Sequence, residues 1–146
     1  MATVAVSVVR ARFDAALTGG GWVRSRFAPE LFGRDTDQLL HKSYSVATPS
    51  TPLDIYDGRD RYRSEADATT TIEVRTAHRL RPDAASEDYD AALNHEAAAL
   101  VVILDNVVKT YIHVRPEGTT RRTVTPAGDW LISLMTFTVH HPLTLT

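Results

Sequence analysis

Apolar and polar side chains alternate regularly over residues 70–80. A period of two predicts a β-strand, because successive side chains of a strand point to opposite faces of its sheet. One side carries Ile72, Val74, Thr76, His78 and Leu80, and the other carries Glu73, Arg75, Ala77 and Arg79. The pattern predicts one buried face and one face that meets water or a partner.

From Tyr89 to Leu104 the apolar residues recur every three or four positions, which is the period of a helix. The spacing predicts a long helix over about 87–105. Ser86 is its expected N-cap, and the acidic residues of the first turn favour the positive end of the helix dipole. The side expected to be buried consists of Tyr89, Leu93, Ala97, Leu100 and Leu104.

The N-terminal segment 3–17 has a helical stripe of its own, which predicts a second helix. Valine lowers helix propensity, so a strand over 4–9 is the alternative structure for this segment. The glycines at 19–21 end whichever element forms. The stripe is formed by Val6, Val9, Phe13 and Leu17.

Three further segments, 39–47, 107–115 and 130–140, alternate as strands do. Turns are predicted at 116–118 and 126–128, where proline and glycine cluster, with a short edge strand over 119–125 between them. Ile132 and Leu134 place apolar side chains on the second face of the last segment, as expected for a central strand. Its first face carries Leu131, Met135, Phe137 and Val139.

These elements combine into one α+β domain over residues 1–146. The expected architecture is a mostly antiparallel sheet packed against the long helix at about 87–105, plus the N-terminal helix. A chain of 146 residues has the usual length of one domain, and its hydrophobic content of 43% is sufficient for a core.

A long charged loop is predicted at 49–69, between two of the strands. It contains three arginines and five acidic residues. Loops longer than about 12–15 residues are uncommon in compact domains and are usually functional or disordered. This loop therefore needs an explanation beyond folding.

Charge and composition narrow the classes of partner. The net charge is −2, from 16 basic and 18 acidic residues, so no sequence-specific nucleic-acid binding is expected. The absence of cysteine excludes disulfides and thiolate zinc sites. The strongly apolar run 97–104 is far below the roughly 20 residues that span a bilayer, and no signal peptide is recognised, so no membrane partner is expected.

No catalytic, cofactor-binding or metal-binding residue is predicted. The glycines at 19–21 lack the lysine and hydroxyl residue of a phosphate loop, and His140 and His141 point to opposite faces of a strand. One enzymatic or ligand-binding alternative stays open, which is a pocket between helix and sheet. Its polar residues would be His78, His113, Tyr111 and Arg115.

The order of elements resembles the tail terminator, or tail completion, proteins of long-tailed bacteriophages. Three segments carry the resemblance: HKSYSVATPST at 41–51, TTTIEVRTAHRLRPDAASEDYDAALNHEAAALVVIL at 69–104, and WLISLMTFTVHHPL at 130–143. The resemblance implies a structural virion protein without enzymatic activity. Six copies would close a ring that caps the tail tube, ends its polymerisation and joins it to the head-side connector.

The resemblance also implies the partners and the location of the chain. The partners would be further copies of itself, the tail tube protein and the head-tail connector protein, and the location would be the tail or neck of the virion, after synthesis in the host cytoplasm. Another phage neck or tail-tube protein is the structural alternative.

Charged residues are the expected subunit or partner interface, because alternating charges fix the register of a contact and block wrong partners. A solvated surface is the alternative role for such clusters, and Arg24 with Arg26 forms another short basic cluster. The expected interface consists of Asp57, Arg59, Asp60, Arg61 and Arg63 in the loop, Glu73, Arg75 and Arg79 on the strand, and Arg121 and Arg122 near the C-terminus.

Overall fold

A computed structural model describes residues 5–26, 28–29, 32–34, 39–55, 65–107 and 112–144. The fold is α+β, as predicted, with two helices and a mostly antiparallel sheet of six strands within these ranges. The elements are α1 (Val6–Gly19), β1 (Val23–Arg24), β2 (Ser43–Ser50), β3 (Leu53–Ile55), β4 (Glu65–Arg79), α2 (Ala85–Val107), β5 (His113–Val124) and β6 (Trp130–Thr144).

The strand order is β1-β2-β4-β6-β5, and β3 pairs with the beginning of β4. Only β1 and β2 run parallel to each other among the described strands; the other pairs are antiparallel. The centre of the sheet is the β4–β6 pair, which is in continuous register from Glu65 opposite Thr144 to Arg79 opposite Trp130. This pair provides the rigid frame on which both sheet faces are built.

Both helices pack on one face of the sheet, which we call the covered face. Its strand residues include Ile72 and Val74 of β4 and Met135 and Phe137 of β6, all buried as the alternating pattern predicted. Phe13 of α1 meets Phe137 edge-on, with 5.3 Å between ring centroids. Such aromatic pairs stabilise a core beyond the area that they bury.

Helix α1 forms as predicted, and the strand over 4–9 is wrong for the described residues, because Val6–Val9 lie in the helix. The helix packs against β2, where Tyr44 donates a hydrogen bond to the carbonyl oxygen of Asp14 at 3.2 Å. Trp22 follows the glycines and joins the same core. The first helix therefore covers the β1–β2 side of the sheet.

Helix α2 also forms, but its predicted N-cap and buried side are wrong. The helix begins at Ala85, and the carbonyl of Ala84 accepts the first helical hydrogen bond, from the Asp88 N–H. Ala97 is exposed, and the other four predicted core residues are only half-buried. Because α2 contacts both the sheet and α1, its buried side is set by two neighbours. That side consists of Ala92, Glu96, Ala99, Ile103 and Val107.

The strand boundaries around the predicted loop also differ from expectation. Strand β2 begins only at Ser43, because Lys42 adopts a left-handed turn conformation with φ of 55°, and Leu40 is 43% exposed. Strand β2 then continues to Ser50, and β3 and β4 occupy both ends of the expected loop. The predicted loop at 49–69 is therefore largely strand in its described parts, and 56–64 lie outside the described residues.

The predicted turn at 116–118 is wrong, because β5 runs through it. Its register against β6 shifts between Glu117 and Arg121, and Gly118 has a φ of 59° there. A bulge of this kind bends a strand without ending it. The turn at 126–128 is confirmed, with the Gly128 N–H bonded to the carbonyl of Thr125 at 2.8 Å. Neither helix in the described ranges is long and apolar enough to cross a membrane.

Candidate interaction surfaces

The second face of the sheet carries no helix, and we call it the open face. Its centre pairs Thr71 with Thr138 and Glu73 with Thr136 across β4 and β6, and all four side chains are half-buried. Leu134 lies beside them, opposite Arg75. A broad face of threonine and charged side chains can remain in water or receive a polar partner.

Two of the predicted interface residues pair with each other on this face. Arg75 Nη2 lies 2.9 Å from Glu73 Oε2, and the two side chains are 30% and 25% exposed. Thr138 of β6 donates a hydrogen bond to Glu117 of β5 on the same face. The open face therefore presents charges that already have local partners, so a neighbour would meet an ordered charge pattern.

The predicted pair Arg121 and Arg122 is divided between the two faces. Arg121 is exposed on the open face, opposite Leu134. Arg122 points to the covered face, where its Nε and Nη2 both lie 2.8 Å from Oε2 of Glu96 on α2. Ser133 donates to the other carboxylate oxygen of Glu96, whose side chain is only 6% exposed. Arg122 thus ties α2 to β5 inside the subunit.

The remaining predicted interface residues are separated from this charged pair. Arg79 is exposed at the end of β4, where its backbone N–H donates to Nδ1 of His41 at 3.2 Å. Asp57, Arg59, Asp60, Arg61 and Arg63 lie outside the described residues. The structure therefore brings together Glu73 and Arg75 but not the full predicted set.

One end of the open face is covered by the segment around Phe32. Phe32 is 8% exposed and packs in a small cluster with Ala77 and Trp130. Gly33 follows with a φ of 82°, and a Cβ atom built there would lie 2.8 Å from Cδ1 of Ile132. The hydrophobic pattern did not predict this contact, because the segment has no helical or strand period.

The outer strand β5 has features that oppose pairing with another strand. Pro116 has no N–H to donate, and the bulge between Glu117 and Arg121 bends the edge. Exposed charges at Arg115 and Arg121 lie along the same strand. The β5 edge is therefore poorly suited to extension of the sheet by a further strand.

Three histidines meet at the end of the sheet beside α2. His78 Nε2 of β4 shares a hydrogen bond with Nδ1 of His95 at 2.8 Å, and the His41 ring lies edge-on, 4.3 Å from His78 between centroids. Burial, and then the neighbouring His41 and His95, lower the pKa of His78 from 6.5 to about 4. Burial also lowers the pKa values of His41 and His95. The neutral cluster is the stable form.

Of the described polar residues expected in a pocket between helix and sheet, only His78 belongs to the histidine cluster. His78 lies buried on the covered face, whereas His113 is exposed opposite His140 at the other end of the sheet. Arg115 is also exposed, and Tyr111 lies outside the described residues. The described residues His78, His113 and Arg115 therefore do not come together in one pocket. Within the described ranges, no group of three or more histidine, aspartate or glutamate residues is placed to hold a metal ion.

A basic cleft lies at the β1 edge, where α1 passes over the sheet. It is lined by Arg10 of α1 and by Arg24 and Arg26 at β1, with Asp14 as the one acidic residue among its described lining side chains. Arg24 and Arg26 are exposed and Arg10 is half-buried. The sequence indicated the Arg24–Arg26 cluster, but Arg10 joins it only through the packing of α1.

Helix α2 is acidic, so its charge is opposite to that of the basic cleft. Between 85 and 107 it contains five acidic residues and no lysine or arginine. Two of the acids form ion pairs within the subunit, Glu96 with Arg122 and Asp88 with Arg81. Hydrogen bonds from the Arg81 guanidinium lower the pKa of Asp88 to about 2. Glu87, Asp90 and Asp105 remain exposed.

No protein-family model matches the chain, and no curated protein matches its sequence. The surfaces with which the described part of the chain can meet a partner include the open face, the basic cleft and α2.

Proposed function

We propose that this chain is a structural subunit of a long-tailed phage tail, of the tail terminator type. Six copies would form a ring that caps the tail tube, ends its polymerisation and joins it to the head-side connector protein. Its partners are further copies of itself, the tube protein and the connector, and it has no catalytic role. Its place is the tail or neck of the virion.

The open face is the observation that carries the proposal. A sheet with one face packed under two helices and the other broad, polar and patterned with charge is suited to contact with further protein. The pairing-resistant β5 edge supports a closed assembly of limited size, because continued sheet extension would give open fibres.

The test is native mass spectrometry of the purified chain over a concentration series, with negative-stain images of the same samples. The series is repeated with growing tubes of the tail tube protein from the same phage. We expect one discrete ring that binds tube ends and shortens the tubes. A chain that stays monomeric even at tube ends contradicts the proposal.

A pair of variants tests the contribution of the open face. Arg75→Glu places two carboxylates side by side with Glu73, and we expect the fold to persist while assembly weakens. The matched control is the swapped pair Glu73→Arg with Arg75→Glu, which retains the internal ion pair and the net charge. If a neighbouring subunit contacts these charges at fixed positions, the swapped pair also assembles poorly. If both variants assemble as the wild type does, this face is not part of the interface.

A further inference from the structure

We infer that the basic cleft of one copy receives the exposed acidic end of α2, Glu87 and Asp90, from the next copy. This inference rests on the proposed ring and names one of its contacts. The two surfaces carry opposite charge, so a second copy of this chain offers to each surface its complement. The contact is electrostatic and head-to-tail.

The cleft side has guanidinium groups that are available for a partner. Within the described part of the chain, Arg10, Arg24 and Arg26 form no ion pair, in contrast to Arg75, Arg81 and Arg122. Arginine presents a planar set of donors that matches a carboxylate in two-point hydrogen bonds. The cleft measures about 370 Å³, which is enough for acidic side chains of a partner.

The α2 side offers carboxylates at matching spacing. Glu87 and Asp90 are three residues apart, so they are neighbours on one side of the helix and both are exposed. Farther along the same side, Ala97, Ala98 and Val101 are exposed and uncharged, with Val101 at 56%. Small apolar side chains beside a charged anchor allow close approach of a second subunit.

The two surfaces occupy different sides of the subunit, which determines the symmetry of the contact. The cleft lies at the β1 end of the strand order, whereas α2 is tied by Glu96 to Arg122 of β5, at the other end. A contact between two different surfaces is heterologous, and it closes into a ring when the rotation between copies allows. A two-fold dimer would instead need a self-complementary patch.

The test uses reciprocal charge reversal. Variant one carries Arg24→Glu and Arg26→Glu, variant two carries Glu87→Lys and Asp90→Lys, and variant three carries all four changes. Like charges at an interface oppose association strongly, so variants one and two should each need on the order of 100-fold more protein to assemble. An equimolar mixture of one and two should restore the ring, because every contact then joins opposite charges. Variant three should restore it for the same reason.

The control is Asp105→Lys, which reverses an exposed acid at the far end of α2 and should leave assembly unchanged. Urea unfolding of each variant confirms that the fold is intact. Assembly is measured by native mass spectrometry, with and without tube ends. Rings from variants one and two at wild-type concentrations overturn the contact but not the ring. Failure of the mixture and of variant three also overturns the contact, and a wild-type chain that forms no ring at tube ends overturns the proposed function itself.

Discussion

The two faces of the sheet hold the same kinds of residue in different states. Each face has a glutamate–arginine pair and histidines, but on the covered face Glu96 is 6% exposed and bonded to both Arg122 and Ser133. On the open face Glu73 is 25% exposed and paired only with Arg75 among described ion pairs. The difference shows that the glutamate–arginine pair of the covered face joins two elements inside the subunit, whereas the pair of the open face stays accessible to a partner.

The largest expected difference between the faces concerns apolar packing. Phe137→Ala on the covered face removes a fully buried ring and its contact with Phe13, so we expect a loss of about 3–5 kcal/mol in the free energy of unfolding. Leu134→Ala on the open face of the same strand is the matched control, and its cost should be about 1 kcal/mol because Leu134 is only half-buried. Urea denaturation measures both. Similar losses would mean that the open face is packed too.

The histidine cluster makes the covered face sensitive to acid. The pKa of His78 is about 4 in the folded chain and 6.5 as its ordinary value, so the unfolded chain binds more protons between these values. Stability should therefore be complete above pH 6.5 and fall as the pH drops towards 4. The difference between the two pKa values corresponds to about 3 kcal/mol.

His78→Gln measures this effect, because it removes the buried imidazole and keeps a polar side chain. We expect the variant to lose the additional fall in stability between pH 6.5 and about pH 4, measured by urea unfolding at several pH values. His113→Gln, at an exposed position of the open face, is the control and should retain the wild-type fall. Parallel curves for the wild type and His78→Gln would contradict a neutral cluster.

These comparisons also separate what the sequence could predict from what it could not. The faces of β4 follow from alternation alone, so Ile72 and Glu73 were assigned correctly. The buried side of α2 could not be predicted from its sequence. Apolar residues lie on most sides of the helix at 97–104, and packing against α1 decides which of them are buried.

The candidate site depended even more on tertiary structure. Adjacent residues Arg121 and Arg122 must point to opposite faces, but the bulge before them decides which one reaches Glu96. The histidine cluster joins a turn, a strand and a helix, and Arg10 joins the basic cleft from another element. Spacing along the chain carries no signal for such meetings.

The next smaller effect compares the two ion pairs directly. Glu96→Gln leaves Arg122 and Ser133 without a charged acceptor in a buried site, so we expect a loss of about 2–3 kcal/mol. Glu73→Gln disrupts the half-exposed pair with Arg75 and should change stability by less than about 1 kcal/mol. Thermal and urea unfolding measure both variants. Equal losses would show that the open-face pair is as structural as the covered one.

The smallest effect tests the end of the open face on which Phe32 packs. Gly33→Ala imposes a side chain at a φ of 82°, which costs about 1 kcal/mol, and its Cβ would lie 2.8 Å from Cδ1 of Ile132. Gly118→Ala has similar strain at a φ of 59° with no atom within 4 Å, so it should cost only about 1 kcal/mol. Ile132→Val removes Cδ1. In that background Gly33→Ala should cost no more than Gly118→Ala, whereas an unchanged cost would mean that Phe32 and Gly33 do not lie against Ile132.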